Sequence, residues 1–240
     1  IATQSWLHQH DVGSSLARKY QQSGWIERIG HGAWQRRGDS VDWLGGVFGL
    51  QQDGLLKVWP GGQTALALQG YSHYLPLGED VVTLFASPGL RLPGWFAEHK
   101  WGVSIRCIAA NLFSELDSAA WQTFKPAHRE FELQISCPER AVLELIHASE
   151  DEALFSSVAE LLNGLATLSP RRLQRLLEAC RSVRVKRVFL LLARHSGHAW
   201  YSRLDLTRVD LGTGKRQLIA GGCLDKQFLI TVPEQFADAS

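Results

Sequence analysis

Basic and polar side chains recur at helical spacing in the stretch SSLARKYQQSG, near the start of the chain. Four of them follow i, i+3, i+4 and i+7 spacing: Ser15, Arg18, Lys19 and Gln22. Positions with this spacing share one face of a helix. Guanidinium, ammonium, hydroxyl and amide groups are the ones that hydrogen-bond phosphate oxygens and base edges. The spacing therefore predicts a helix face that can bind a polyanion, with an ordinary solvated face as the alternative.

A second basic stretch lies between residues 171 and 187, where Glu178 is the one acidic residue. The side chains in it that we single out as a candidate contact for a polyanion are Arg171, Arg172, Arg175, Lys186 and Arg187. Solvated helix faces usually mix both signs of charge, so the bias indicates a polyanion or an acidic partner. A solvated face is again the alternative.

The sequence contains no pattern typical of catalysis or metal binding. His8 and His10 lie two apart on a predicted helix and face different ways, and His195 and His198 have no cysteine or carboxylate at ligand spacing. There is no G-x-S-x-G elbow around a nucleophile. The glycine-rich strings PGGQT and DLGTGKR lack the spacing of a phosphate loop, so we interpret them as a helix start and a hairpin turn. We therefore expect no enzyme activity, no cofactor and no metal ion.

Length and composition favour two domains. The chain has 240 residues, is 45% hydrophobic and carries a formal net charge of +1, so any affinity for a polyanion depends on where the basic residues lie. The four cysteines lie far apart, which favours a reducing cytoplasm. No apolar run is long enough to span a membrane. The chain starts at Ile1 without any methionine, and we expect that a native N-terminal segment is missing.

The elements that would position the first basic stretch follow from local signals. We predict a helix over residues 3–10 capped by Thr3, a turn, and a second helix from Ser14, as its cap, to about Gln22. Two short strands around Gly30-His31-Gly32 follow. This is the order of a winged helix-turn-helix without its first helix. The residues that we expect to be buried in it are Leu16, Ala17, Tyr20, Trp25 and Ile29.

The remainder of the chain predicts a larger mixed domain, so that the fold class is α+β. We predict helices over 42–52 and 138–147 and through most of 153–195. We predict strands over 81–86, 102–109 and 131–136 and through 205–232. The segment Leu75-Pro76-Leu77-Gly78 offers a break. We place the domains at 1–76 and 77–240.

These residues resemble the type IV abortive-infection antitoxins of the AbiEi family. The likeness rests on LARKYQQSGWIERIGHGAWQRRGD, on GGQTALALQGYSHYL and on the string from LLEACRSVRVKRVFLLLARHSGHAW to the C-terminal LDLTRVDLGTGKRQLIAGGCLDKQFLITVP. By position in the motif, the recognition helix carries Ser14, Ser15, Arg18, Lys19 and Gln22. The wing carries Arg28, His31, Arg36 and Arg37.

The resemblance implies a repressor that binds inverted repeats in the double-stranded DNA of its own promoter. It also implies that the C-terminal domain neutralises a co-expressed nucleotidyltransferase-like toxin without a stable complex. The alternative reading is an RNA-binding or nucleic-acid-modifying protein that uses the basic C-terminal helices.

Overall fold

The computed structural model describes residues 1–52, 54, 57–71, 81–149 and 153–236. It confirms a mixed α+β fold. The described helices, in chain order, are α1 (Gln4–Gln9), α2 (Ser14–Gln22), α3 (Trp43–Gln52), α4 (Gly62–Leu68), α5 (Gly94–Ala97), α6 (Pro138–Ala148), α7 (Ala153–Gly164), α8 (Pro170–Ala179) and α9 (Val183–Ser196). The described strands are β1 (Ala2–Thr3), β2 (Ile26–Gly30), β3 (Ala33–Arg36), β4 (Val58–Pro60), β5 (Val81–Ala86), β6 (Ser104–Ala109), β7 (Trp121–Phe124), β8 (Leu133–Ser136), β9 (Cys223–Asp225) and β10 (Ile230–Val232).

The N-terminal residues form a helix-turn-helix followed by a hairpin, as the sequence predicts. Thr3 caps α1, since its hydroxyl accepts the backbone N–H of Trp6 at 3.2 Å. In the turn between the helices, the N–H of Val12 donates to the carbonyl of Leu7. Strand β1 pairs with β3, which makes a three-stranded antiparallel sheet in the order β1-β3-β2. These elements have the topology of a winged helix-turn-helix.

A small apolar cluster holds α2 against the sheet. Leu7, Ala17 and Trp34 are buried together, and Trp6 and Ile26 pack around them. Ala17 is 1% exposed, so a larger side chain at this position would force the helix away from Trp34. A small side chain at position 17 therefore lets α2 pack closely within this cluster.

Strands β4, β5 and β6 form a second three-stranded sheet, in which β5 pairs antiparallel with β4 and parallel with β6. Helix α5 packs against β2. A β-carbon on Gly30 would lie 2.7 Å from the Cα of Trp95, so this glycine permits direct contact of the two backbones. The wing is thus supported from behind by α5.

Helices α6 to α9 supply much of the core of the second part of the chain. Pro138 and Pro170 occupy the first turns of α6 and α8. The hydroxyls of Ser169 and Ser182 accept backbone N–H groups of the first turns of α8 and α9. The predicted helical region is confirmed, because periodicity and capping residues are both local signals.

The strand prediction for residues 205–232 is wrong over most of its length. The segment begins with a short 3-10 turn (Leu206–Arg208), in which the Asp205 carboxylate accepts the N–H of Thr207. Only β9 and β10 are strands, and they pair antiparallel. The alternation of apolar residues predicts hydrogen bonds between strands, but in this turn a side chain accepts the backbone N–H group instead.

The chain folds into two compact units whose segments alternate along the sequence. The first comprises 1–60, 78–110 and 123–135; the second comprises 61–77, 111–122 and 136–240. The predicted break at 75–78 lies outside the described residues. A functional division near residue 76 stays a prediction.

Candidate nucleic-acid interface

Helix α2 presents a polar face to solvent, opposite the buried Ala17. The side chains that the sequence places on the recognition helix are all exposed: Ser14, Ser15, Arg18, Lys19 and Gln22. The helix carries no acidic residue. Its face therefore combines hydrogen-bonding groups with positive charge, as a reader of a DNA groove requires.

The start of α2 differs in one respect from the prediction. Ser14 is the first residue of the helix and Gly13 is its cap, without a side-chain bond. The hydroxyl of Ser14 accepts the side-chain amide of Gln4 at 3.3 Å, which links the two helices at the surface. The prediction was wrong because Gly13 already has the extended conformation of a cap, with φ −69° and ψ 164°.

The hairpin carries exposed basic residues on both of its strands and at its tip. The wing residues Arg28, His31, Arg36 and Arg37 are exposed, as expected for a contact surface. The register shifts between Arg28 and Gly30, and Arg28 Nε donates to the carbonyl of Gly30 at 3.0 Å. This bond holds the guanidinium close to the tip, where His31 lies. At the other end of the hairpin, Arg36 pairs with Ile26.

Two aromatic residues that the sequence predicts to be buried are exposed. Tyr20 is 40% exposed and Trp25 is 73% exposed. Tyr20 lies at the edge of the inward stripe of α2, and Trp25 precedes the first residue of β2, so neither is covered by the small cluster around Ala17. Leu16 and Ile29 are half-buried.

The second basic stretch divides into exposed and paired side chains on α8. Arg171 is exposed. Arg172 Nη1 lies 2.9 Å from the carboxylate of the buried Glu139, and Arg175 forms an ion pair with Asp117. These two ion pairs neutralise part of the positive charge that the sequence predicts to contact a polyanion.

Lys186 and Arg187 on α9 are buried, which corrects the prediction of a surface contact for them. Lys186 is 3% exposed and Arg187 is 1% exposed. The guanidinium of Arg187 donates to the carbonyls of Leu211, Gly212, Gly214 and Leu229 at 2.8–3.3 Å. Burial, with a smaller contribution from the charge of Arg216, lowers the pKa of Arg187 from its usual value. These backbone carbonyls accept the hydrogen bonds of the buried guanidinium, so Arg187 holds the loop around residues 211–214 in place.

The glycine-rich start of α4 is a plain helix start, as predicted. The N–H of Gly62 donates to the carboxylate of Glu144 at 3.0 Å. The same carboxylate accepts Ser136 Oγ and Arg140 Nε, each at 2.7 Å. A buried side chain of the protein thus takes the place at this helix end that a phosphate would need.

The described part of the chain contains no group of three or more His, Cys, Asp or Glu side chains that could hold a metal ion. Among its helices, none combines the length and apolar character needed to cross a membrane.

Comparison with protein families gives matches over nearly the whole chain. Residues 79–233 match the family described as "Transcriptional regulator, AbiEi antitoxin, Type IV TA system", and residues 1–77 match "Transcriptional regulator, AbiEi antitoxin N-terminal domain". No curated protein sequence matches. A solved structure, described as the crystal structure of RV2827C protein from Mycobacterium tuberculosis, is similar with a TM-score of 0.57 and 19% identity, over 96% of this chain and 85% of that one. That likeness concerns the fold alone. On the family matches, the chain belongs to the AbiEi antitoxins, transcriptional regulators of type IV toxin–antitoxin systems.

Proposed function

We propose that this antitoxin represses its own operon by binding inverted repeats in the promoter through α2 and the β2–β3 hairpin. The observation that carries the proposal is the exposed polar face of α2, opposite Ala17 and followed by a hairpin with exposed basic residues. In this arrangement α2 lies in the major groove and the hairpin lies along the phosphate backbone. Arg18 reads a base, whereas Arg36 contacts a phosphate.

The proposal includes neutralisation of a co-expressed nucleotidyltransferase-like toxin, without a stable complex, by residues 77–240. The family description supports an antitoxin role in a type IV system. Arg171 is the member of the predicted C-terminal set that is exposed and that forms no ion pair with a described residue. It is therefore the first candidate on α8 for a contact with a polyanion.

A footprint on the DNA upstream of this protein's own gene tests the repressor role. We expect two protected regions of inverted sequence, lost when Arg18 and Lys19 are both replaced by alanine. An unprotected upstream region would contradict the proposal. Better competition by a structured RNA than by the promoter duplex would favour the RNA-binding alternative.

A growth assay tests the antitoxin role. The protein is expressed from an unrelated promoter beside its toxin, so that repression of the toxin gene cannot contribute. Rescue by the intact protein is the expected result. Rescue that disappears under this arrangement would mean that the protein acts only by repression.

A further inference from the structure

The end of α2 carries an exposed aromatic patch, formed by Tyr20 and Trp25. Trp25 is the more exposed, at 73%. Large aromatic side chains are buried where a core can cover them, and an exposed tryptophan at a predicted interface indicates a contact surface. The binding proposal above, which is built on charged and polar groups, gives this patch no role.

The backbone of Trp25 is hydrogen-bonded on both sides. The N–H of Trp25 donates to the carbonyl of Tyr20, and the carbonyl of Trp25 accepts the N–H of Arg37, each at 3.0 Å. The chain turns sharply between them at Gly24, whose φ is +75°. Hydrogen bonds on both sides of Trp25 therefore hold its backbone in one position at the surface.

The surroundings of the patch are cationic. A β-carbon on Gly24 would lie 2.6 Å from Nη1 of Arg37, so that guanidinium lies directly over the residue before Trp25. Lys19 and Arg36 are exposed nearby in the sequence, at the end of α2 and in the facing strand. Within the described residues, none of these three cations forms an ion pair. Exposed cations close to an exposed aromatic side chain are complementary to a nucleic acid, and they oppose close packing of a second copy.

We infer that the ring of Trp25 contacts the deoxyribose–phosphate backbone of the duplex that α2 reads. The indole face covers the C–H groups of a deoxyribose, and the indole N–H donates to a phosphate oxygen. Arg37 binds a neighbouring phosphate. Every nucleotide offers the same sugar, so the contact strengthens binding to all sequences. This inference rests on the proposed operator binding.

The test measures affinity by gel shift across a series of salt concentrations, with the full chain. Two duplexes of equal length are used: the DNA upstream of the gene and a scrambled version. The variants are Trp25→Ala, Trp25→Phe, Arg37→Ala and the control Val81→Ala, which truncates an apolar side chain that is 41% exposed on β5. Urea midpoints verify that each variant is folded.

We expect Trp25→Ala to weaken binding to both duplexes by about tenfold, because it removes the apolar contact and the N–H donor. Its slope of log affinity against log salt should equal that of the unaltered protein, since no charge is lost. Arg37→Ala should reduce that slope by about one. Trp25→Phe should lie between Trp25→Ala and the unaltered protein, and Val81→Ala should leave binding unchanged.

A change smaller than about twofold for both Trp25 variants would overturn the inference. A loss confined to the upstream duplex would also overturn it, because the ring would then read a base. If the unaltered protein does not prefer the upstream duplex, the proposed operator binding fails, whatever the Trp25 variants do.

Discussion

Nε of Arg187 donates to the carbonyl oxygen of Leu211 across 2.8 Å, so a cation that the sequence suggests for a partner is used inside the protein. The other N–H groups of this guanidinium bind three further carbonyls, all from residues 212–229. One side chain of α9 thus orders the loop in front of β9 and the end of the turn before β10.

Replacing Arg187 by methionine should destabilise the protein by at least about 3 kcal/mol, because several buried carbonyls lose their donor together. Urea unfolding gives the measurement. Arg171→Met on the exposed side of α8 is the control and should change the unfolding free energy by less than about 0.5 kcal/mol. Equal stability of the two variants would show that water replaces the guanidinium.

Arg18 and Arg36 should make different kinds of contact with DNA, to a base and to a phosphate. Arg18→Ala should weaken binding to the operator by about 1–3 kcal/mol and relax the preference at one base pair, because a bidentate base contact is lost. Arg36→Ala should weaken binding to all sequences alike and reduce the slope of log affinity against log salt concentration by about one. Gel shifts on an operator library at several salt concentrations separate the two effects. Unchanged binding in both variants would contradict the placement of α2 in the groove.

Charge reversal on α8 should separate a partner contact from an internal one. Arg171→Glu should reduce either the DNA footprint or toxin rescue without changing stability, because the side chain is exposed. Arg172→Glu should unfold the protein at lower urea concentration, since it faces the buried carboxylate of Glu139. Loss of rescue alone in Arg171→Glu would assign the helix to toxin neutralisation and not to DNA.

Thiol labelling should report on the core. Burial raises the pKa of Cys137 to about 12, so at pH 8 this residue is a protonated and covered thiol. Iodoacetamide should modify the exposed Cys107 and Cys223 in the folded protein, and Cys137 only after unfolding. Peptide mass spectrometry with and without urea measures this order. Early labelling of Cys137 would show that α6 opens in the native state.

A fragment that ends at residue 76 should bind operator more weakly than the full chain and should not rescue cells from the toxin. The structure adds a reason for the weakness: the fragment lacks β5, which pairs with β4, and lacks α5 behind the wing. A gel shift beside the growth assay measures both properties. Rescue by this fragment would mean that neutralisation is only repression of toxin synthesis.

The sequence was sufficient for elements whose signals are local. Thr3 caps the helix that it was expected to cap, and the helical periodicity of α2 correctly places Arg18, Lys19 and Gln22 on its exposed face. The turn at Gly24 and the two strands after it also follow from residue type. In each case, residues within a few positions of one another decide the conformation.

The wrong predictions concern residues whose surroundings are supplied by parts of the chain that lie far away in the sequence. Nothing near Arg187 in the chain shows that its partners are carbonyls 24 to 42 residues later. Likewise, the exposure of Trp25 depends on how small the cluster around Ala17 is, and apolar spacing carries no information on the size of a core. Burial and pairing are set by the tertiary fold, so composition could suggest a basic surface but not which cations reach it.

The alternation of the two units along the chain also bears on synthesis at the ribosome. The helix-turn-helix and its hairpin are complete once Arg36 has emerged, whereas the sheet of β4, β5 and β6 must wait for Ala109. This N-terminal element is therefore complete while most of the polypeptide is still unmade. The later segments of the first unit are synthesised only after residues 61–77, which belong to the second unit. A gene duplication or exchange that cuts the coding sequence once could not separate the two units, because any single cut divides at least one of them, which ties the two together in inheritance.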